Sequence, residues 1–340
     1  MTAPQLRRRL SIAIPTYDFS ATIGATLDSI LAQNEADVEI VILDSGTDDT
    51  AKIVSSRASG GAPIRYIHAG DRCGIDRDMI KLVELTRSEH VWLFSADDVM
   101  RPGAISQVMS LLEDHQPDVL LIRHSNCRFD MAVIHPDYPV LQGESRSFML
   151  DGAAARASYF AAAQTTEALF SYMSGLVVRR DAWDALGRGK LFLGTCWSHA
   201  ARLLSGAAAD ALRVYYCSDV LIDRRGDNDS FAQHGVVARY ALAIEGYLGI
   251  VGALFGSEGP EMAHTRRILR KEFGIIMFLL AKQRCQRNPS EDAMRLDRLF
   301  ESIMVGYCGA WPRRLIYRHL PPTPFLHLYR CLGRLYRLLR

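Results

Sequence analysis

Apolar and polar positions alternate in blocks along the first third of the chain. Short apolar runs, many of them β-branched, fall at residues 10–14, 38–43, 64–68, 91–94 and 119–122 and read as strands. Between them the spacing becomes helical. Ile23, Leu27 and Ile30 share one face after Thr22, and Ile80, Val83 and Arg87 mark a second helix. Ile105, Val108, Leu111 and Leu112 mark a third behind Pro102-Gly103. Strand, helix and strand in strict alternation predict an α/β fold with a mostly parallel central sheet covered by helices on both faces.

The alternation weakens beyond residue 123. Residues 130–145 read as a loop or edge strand, 153–169 as an alanine-rich helix and 174–178 as another strand. A helix carrying Trp183 and Leu186 follows, then a short helix at 198–204 and a strand at 214–216. Helical spacing dominates near 236–254, 263–283 and 291–307. This pattern predicts an α/β part over residues 1–230 and a helical part over 231–340. The last stretch is distinctive, because Arg313, Arg314, Arg318, Arg330, Arg334, Arg337 and Arg340 lie beyond Glu301, the final acidic residue. Leu328, Leu332, Leu335 and Leu339 share one helical face there and arginines another. Such a helix either lies on an anionic membrane surface or docks its leucines on the protein.

Composition narrows the class. A chain of 340 residues with 49% hydrophobic and 23% charged positions is a folded globular protein. A formal net charge of +2 does not mark a dedicated nucleic-acid binder. The seven cysteines are scattered singly, which fits neither a zinc site nor a disulfide framework and favours a reducing compartment. The apolar run at 10–14 is too short for a signal-peptide core, and no uninterrupted run reaches membrane-spanning length. The stretches 247–255 and 275–281 read as buried helix segments. A cytoplasmic protein is expected, with its basic end able to hold it on the inner face of the plasma membrane.

The candidate chemistry lies in acidic turns. Ser95-Ala96-Asp97-Asp98 follows the strand at 91–94, and paired carboxylates there repel unless a cation neutralises them. The competing reading makes one of them a cap for the next helix. Pro15-Thr16-Tyr17-Asp18 and Asp44-Ser45-Gly46-Thr47-Asp48-Asp49-Thr50 follow the first two strands, so a parallel sheet brings Asp18, Asp44, Asp97 and Asp98 to one edge. No phosphate-binding loop or dinucleotide fingerprint is present, and Pro15 has no amide hydrogen to offer a phosphate. The site is therefore suited to holding a nucleotide by an acid contact to its base or ribose and by Mg2+ or Mn2+ on its phosphates.

These three motifs, in this order and spacing, resemble those of the inverting glycosyltransferase family 2, which has the GT-A fold. The resemblance implies that Asp44 contacts the nucleobase and that Pro15, Thr16 and Tyr17 line the nucleotide pocket. It assigns the metal to Asp97 and Asp98, chiefly Asp98, since Ser95 replaces an acid that many members carry. The segments 68–78 and 224–231 look similar to the abequosyltransferase-like branch, whose members move a 3,6-dideoxyhexose from a cytidine diphosphate donor to a lipid-linked O-antigen precursor. Arg77, opening a helix behind Gly74, reads as a contact to diphosphate or sugar, or else as a local ion pair with Asp76 or Asp78. Family members usually carry an Asp base near a late helix, whereas this chain has Cys196-Trp197-Ser198-His199. His199 is the candidate base, with Asp184 and Asp227 as substitutes. The expected activity is sugar transfer from a nucleotide-diphosphate donor to a glycan or lipid-linked saccharide. Nucleotidyl transfer, or binding of nucleotide sugar or glycan without turnover, are the alternatives.

Overall fold

Four parallel strands set the frame: β1 (Leu10–Thr16), β2 (Val38–Asp44), β3 (Ile64–His68) and β4 (His90–Leu93). Helices α1 (Ile23–Leu31), α2 (Thr50–Ala58) and α3 (Ile75–Leu85) connect them. Then come β5 (Val99–Met100), α4 (Ala104–His115), β6 (Val119–Cys127), β7 (Val133–His135), β8 (Arg146–Leu150) and α5 (Ala153–Ala162). β9 (Leu176–Arg179), α6 (Arg180–Ala185), α7 (Ser198–Ala208) and β10 (Leu212–Arg225) complete this part. The strands form one sheet in the order β3-β2-β1-β4-β9-β6-β10-β5, with β7 on β6 and β8 on β10. The computed structural model describes residues 9–70, 72–186, 192–228, 231–288 and 292–324. The chain divides into two compact units, residues 1–228 and 229–340.

Every position of β1 and β2 is buried, as strands covered on both faces must be. Ile23, Leu27 and Ile30 of α1 and Ile105, Val108 and Leu112 of α4 turn inward and join these strands in one apolar cluster. The sheet is mixed beyond β4, because β9 runs antiparallel to both β4 and β6.

Local departures from the sequence pattern have physical reasons. α3 starts at Ile75 and buries Asp76, Asp78, Met79, Leu82 and Val83, while Arg87 lies past its end. Two acids face inward there because each accepts hydrogen bonds from protein amides or a hydroxyl. β10 runs for 14 residues, well past the apolar stretch at 214–216, because its backbone stays paired with β6 as far as Arg225. The alanine-rich segment breaks after Ala162, and Phe170 takes a left-handed φ of 65°. α4 begins behind Gly103, at φ 78°, without a side-chain cap, so neither Asp97 nor Asp98 serves it.

The second unit contains α8 (Val236–Phe255), α9 (Pro260–Glu272), α10 (Ile275–Arg287), α11 (Ala293–Met304) and α12 (Ala310–His319). The helical spacing at 263–283 is shared by two helices, parted at Phe273 and Gly274. α8 is long and apolar enough to cross a membrane by length and composition. It packs against α9 and α11 and buries Val237, Ile244, Tyr247, Ile250 and Val251. The basic leucine-striped stretch at 325–340 lies outside the described residues.

Candidate active site

The turns after β1 and β2 are bound into one wall. Asp44 sits beside Thr16 in the β1–β2 register. Its Oδ1 accepts the Gly46 amide at 2.8 Å and its Oδ2 accepts the Tyr66 hydroxyl at 2.7 Å. Asp18, at φ 58°, accepts the Thr47 amide at 2.9 Å. Gly46 lies between the two turns, where a Cβ would stand 2.5 Å from the Asp18 nitrogen and 2.8 Å from its Oδ1. Asp48 accepts the amides of Ser20 at 2.8 Å and Thr50 at 3.0 Å. Burial opposes its ionisation, but those bonds hold its pKa down to about 2. At the rim the Arg72 guanidinium stacks over the Tyr17 ring, 3.9 Å from its centroid, above buried Pro15 and Thr16. A flat, cationic platform thus stands next to a fixed carboxylate.

The acid pair is asymmetric. Asp98 is 2% exposed, and its Oδ2 accepts the hydroxyls of Tyr172 at 2.7 Å and Ser174 at 2.6 Å. Its Oδ1 accepts the Arg225 amide at 2.9 Å. Burial first, and the neighbouring Asp97 second, raise its pKa to about 6. Asp97 accepts the Ser95 hydroxyl on Oδ1 and the Asn228 amide on Oδ2. The Arg225 Nε donates to the Asp97 carbonyl at 2.8 Å, so the end of β10 is fastened to the pair through side chain and backbone alike. The Thr22 hydroxyl reaches the Ala96 carbonyl at 3.1 Å and that of Thr26 reaches the Asp98 carbonyl at 2.8 Å, tying the acidic turn to α1.

Behind Asp98 lies a second ionic cluster. Tyr172 lies against the His124 ring at 4.3 Å between centroids, and His124 Nε2 meets Glu167 Oε2 at 2.5 Å. Arg224 donates to Glu167 Oε1 at 2.7 Å and stacks over Tyr172 at 5.1 Å. Burial works against an ionised Glu167, but His124 and Arg224 hold its pKa below the usual range.

The other sequence-derived candidates occupy unlike places. Arg77 is exposed on the first turn of α3. Its neighbour Asp76 is buried and accepts the amides of Gly194 at 2.7 Å, Cys196 at 3.0 Å and Ser198 at 3.1 Å. That carboxylate fixes the segment entering α7. Asp78 accepts the Ser45 hydroxyl at 2.9 Å, and burial raises its pKa. His199 is buried in α7, and desolvation pushes its pKa down to about 4, against the opposing charge of Asp76. Asp184 is half exposed on α6, 3.9 Å from Arg180 one turn earlier. Asp227 is exposed at φ 60° in the turn between Arg225 and Asn228, the two residues that grip the acid pair. Tyr66, Tyr172 and Ser174 carry no local signal in the sequence. Tyr172 and Ser174 reach Asp98 across 74 and 76 residues of chain.

Residues 11–169 match the sequence model of glycosyl transferase family 2. The chain carries a family 2 glycosyltransferase domain. The chain is similar to the abequosyltransferase RfbV of Salmonella typhimurium, 26% identical over 287 residues that span 83% of this chain and 86% of that one. A PGL/p-HBAD biosynthesis glycosyltransferase of Mycobacterium tuberculosis is 30% identical over 136 residues, 38% of this chain and 52% of the relative. Solved structures show the GT-A fold. S. aureus TarS 1-349 in complex with UDP-GlcNAc aligns at a TM-score of 0.55, 14% identity, over 87% of this chain and 81% of that one. The mannosyltransferase PcManGT of Pyrobaculum calidifontis, solved with GDP-Man and Mn2+, aligns at 0.53 and 16% identity over 97% and 81%.

A divalent ion fits the donor set of the family 2 domain through one carboxylate more readily than through two. All three hydrogen bonds on Asp98 come from groups fixed in the fold, whereas one oxygen of Asp97 meets only the Asn228 side chain. Among the described residues no three of His, Cys, Asp and Glu gather as a metal-binding group. An ion here would draw its remaining oxygens from diphosphate and water, as magnesium and manganese commonly do.

Proposed function

We propose that the protein is an inverting glycosyltransferase that moves a sugar from a nucleotide-diphosphate donor to a hydroxyl of a glycan or lipid-linked saccharide. The process served is synthesis of O-antigen or another surface polysaccharide. The observation that carries this reading is the asymmetry of the wall and the acid pair, which share one sheet edge. Asp44 and the Tyr17–Arg72 platform suit the nucleoside, and Asp97 suits the diphosphate side. The donors seen in the TarS and PcManGT structures, UDP-GlcNAc and GDP-Man, support a nucleotide-sugar ligand. The likeness to RfbV supports a surface-polysaccharide role.

In this reading Asp44 receives donors from the base or ribose, held in place by Gly46 and Tyr66. Asp97, with Asp98 behind it, would hold Mg2+ or Mn2+, which neutralises the charge of the departing diphosphate. Asp98 acts through position: its three donors lock the acidic turn to Tyr172, Ser174 and Arg225. Arg77 and Arg72 offer cationic contacts to phosphate or sugar from α3 and the turn before it. Inversion needs a base opposite the leaving group. Asp227 is our choice, since its carboxyl is exposed and its turn is gripped by the acid pair, whereas His199 is buried and weakly basic and Asp184 faces Arg180. We place the enzyme in the cytoplasm, at the inner face of the plasma membrane where a lipid-linked acceptor would reside.

A panel of nucleotide sugars with Mn2+, read by released nucleoside diphosphate, tests this. Asp97→Asn and Asp227→Asn should each lower turnover by about 10²-fold or more. Release of pyrophosphate from a triphosphate would instead establish nucleotidyl transfer, and binding without any release would make the protein a nucleotide-sugar receptor.

A further inference from the structure

The second unit shows solvent an aromatic and apolar face beside concentrated positive charge. On α12, Ala310 and Tyr317 face inward, while Trp311 and Leu315, one turn apart, are 72% and 47% exposed. Val305, Ile316 and Met277 are exposed as well. Scattered apolar side chains are ordinary on a soluble surface, but a tryptophan this open, with an exposed leucine one turn on along the same helix, is the less common case.

Basic side chains outnumber acids around it: Arg314 and Arg318 of α12 pair with Glu301, each at 2.7 Å, and further cations remain beside them. Both Arg270 and Arg313 stack on the ring of Tyr307, each 4.6 Å from its centroid. Burial first, and then the positive charges of Arg313, Arg266 and Arg267, lower the pKa of Arg270. Arg270, Lys271 and Arg313 rim a cavity of about 350 Å³ whose walls include Ile275, Ile276 and Met304. Glu272 is the acid on that rim among the described residues. Cationic rim and apolar wall together match an anionic amphiphile: the phosphate is drawn to the guanidinium groups and the chain to the isoleucines. The sequence beyond residue 324 adds Arg330, Arg334, Arg337 and Arg340 and no acid.

We propose that this unit docks on an anionic lipid bilayer, with Trp311 and Leu315 entering the acyl boundary and a headgroup phosphate seated between Arg270 and Arg313. The proposal rests on the reading of a lipid-borne acceptor and names the surface that meets the membrane. Aromatic side chains favour the boundary between headgroups and hydrocarbon, and basic residues gain from the negative surface potential of anionic lipid.

Flotation of the full chain with vesicles of phosphatidylglycerol and phosphatidylcholine tests this, against vesicles of phosphatidylcholine alone. The chain should float with the mixed vesicles, and brominated acyl chains should quench its tryptophan emission. Trp311→Ser with Leu315→Ser, and separately Arg313→Glu, should each lower partitioning by about tenfold. Lys271→Glu, on an exposed position, repeats the charge test if Arg313→Glu fails to fold. Diphosphate release in the absence of vesicles should stay at the parental rate in all of these variants, so a failed membrane contact leaves the sugar-transfer reading standing. Parental flotation by the Trp311/Leu315 and charge variants overturns the proposal, as does binding that depends only on Arg330, Arg334 and Arg337. A doubled mass in solution that the Trp311/Leu315 variant abolishes, without flotation, would assign the face to a second copy and also overturn it.

Discussion

Two adjacent aspartates that look equivalent in the sequence are both buried but differently held. Asp98 is enclosed by Tyr172, Ser174 and the Arg225 amide, whereas Asp97 meets two side chains and is the more open of the pair. Asp98→Ala would strand three buried donors, and we expect a loss of about 3 kcal/mol in urea unfolding. Asp97→Asn should change stability by less than about 1 kcal/mol while removing turnover. Equal destabilisation by both would refute the asymmetry. His199 yields a pH prediction. Its pKa is about 4 in the folded chain, below the ordinary histidine value, so between pH 6.5 and 4 the unfolded chain binds the extra proton. Stability should therefore be lost as pH falls through that window, by about 3 kcal/mol from this residue. His199→Gln should flatten the slope of unfolding free energy against pH there; an unchanged slope would show that the ring does not titrate as a buried group.

Among elements, the turns after β1 and β2 show how the fold prepares a site. Gly46 is required by contact, since any Cβ would press on the Asp18 backbone and carboxylate. Gly46→Ala should part the two turns and raise the donor KM about tenfold, with little change in kcat for the bound donor. Steady-state kinetics over donor concentration measures this, and an unaltered KM would mean the wall does not touch donor. β10 is the element most altered by context. Its apolar beginning is readable, but its polar end extends along β6 as far as Arg225, and Asp97, Asp98 and Glu167 accept from Arg224 and Arg225 there. α3 is the counterpart: its buried Asp76 and Asp78 break the helical pattern and answer to partners far along the chain.

For the molecule as a whole, a near-neutral net charge hides an uneven distribution. The formal charge is +2, yet no acid follows Glu301 while arginines continue to the last residue. Vesicle binding by the full chain should therefore weaken steeply with ionic strength, by more than about tenfold between 0.1 and 0.5 M salt, because the Debye length shrinks over that range. Salt-independent flotation would point to apolar insertion alone.

The sequence by itself determined the α/β alternation, the strand-end acids and the family they resemble. Those signals are local: apolar runs follow the period of a strand, and aspartates sit in turns whose position a parallel sheet dictates. It also located the polar segment 224–231 without a role for Arg225. Only the tertiary structure decided which aspartate is the more deeply buried, that Asp76 clamps the entrance to α7, and that His199 is buried. Each depends on contacts across long stretches of chain, such as Tyr172 to Asp98 and Asp76 to Ser198. Desolvation and hydrogen-bond saturation belong to the packed assembly of side chains, and no linear spacing encodes them.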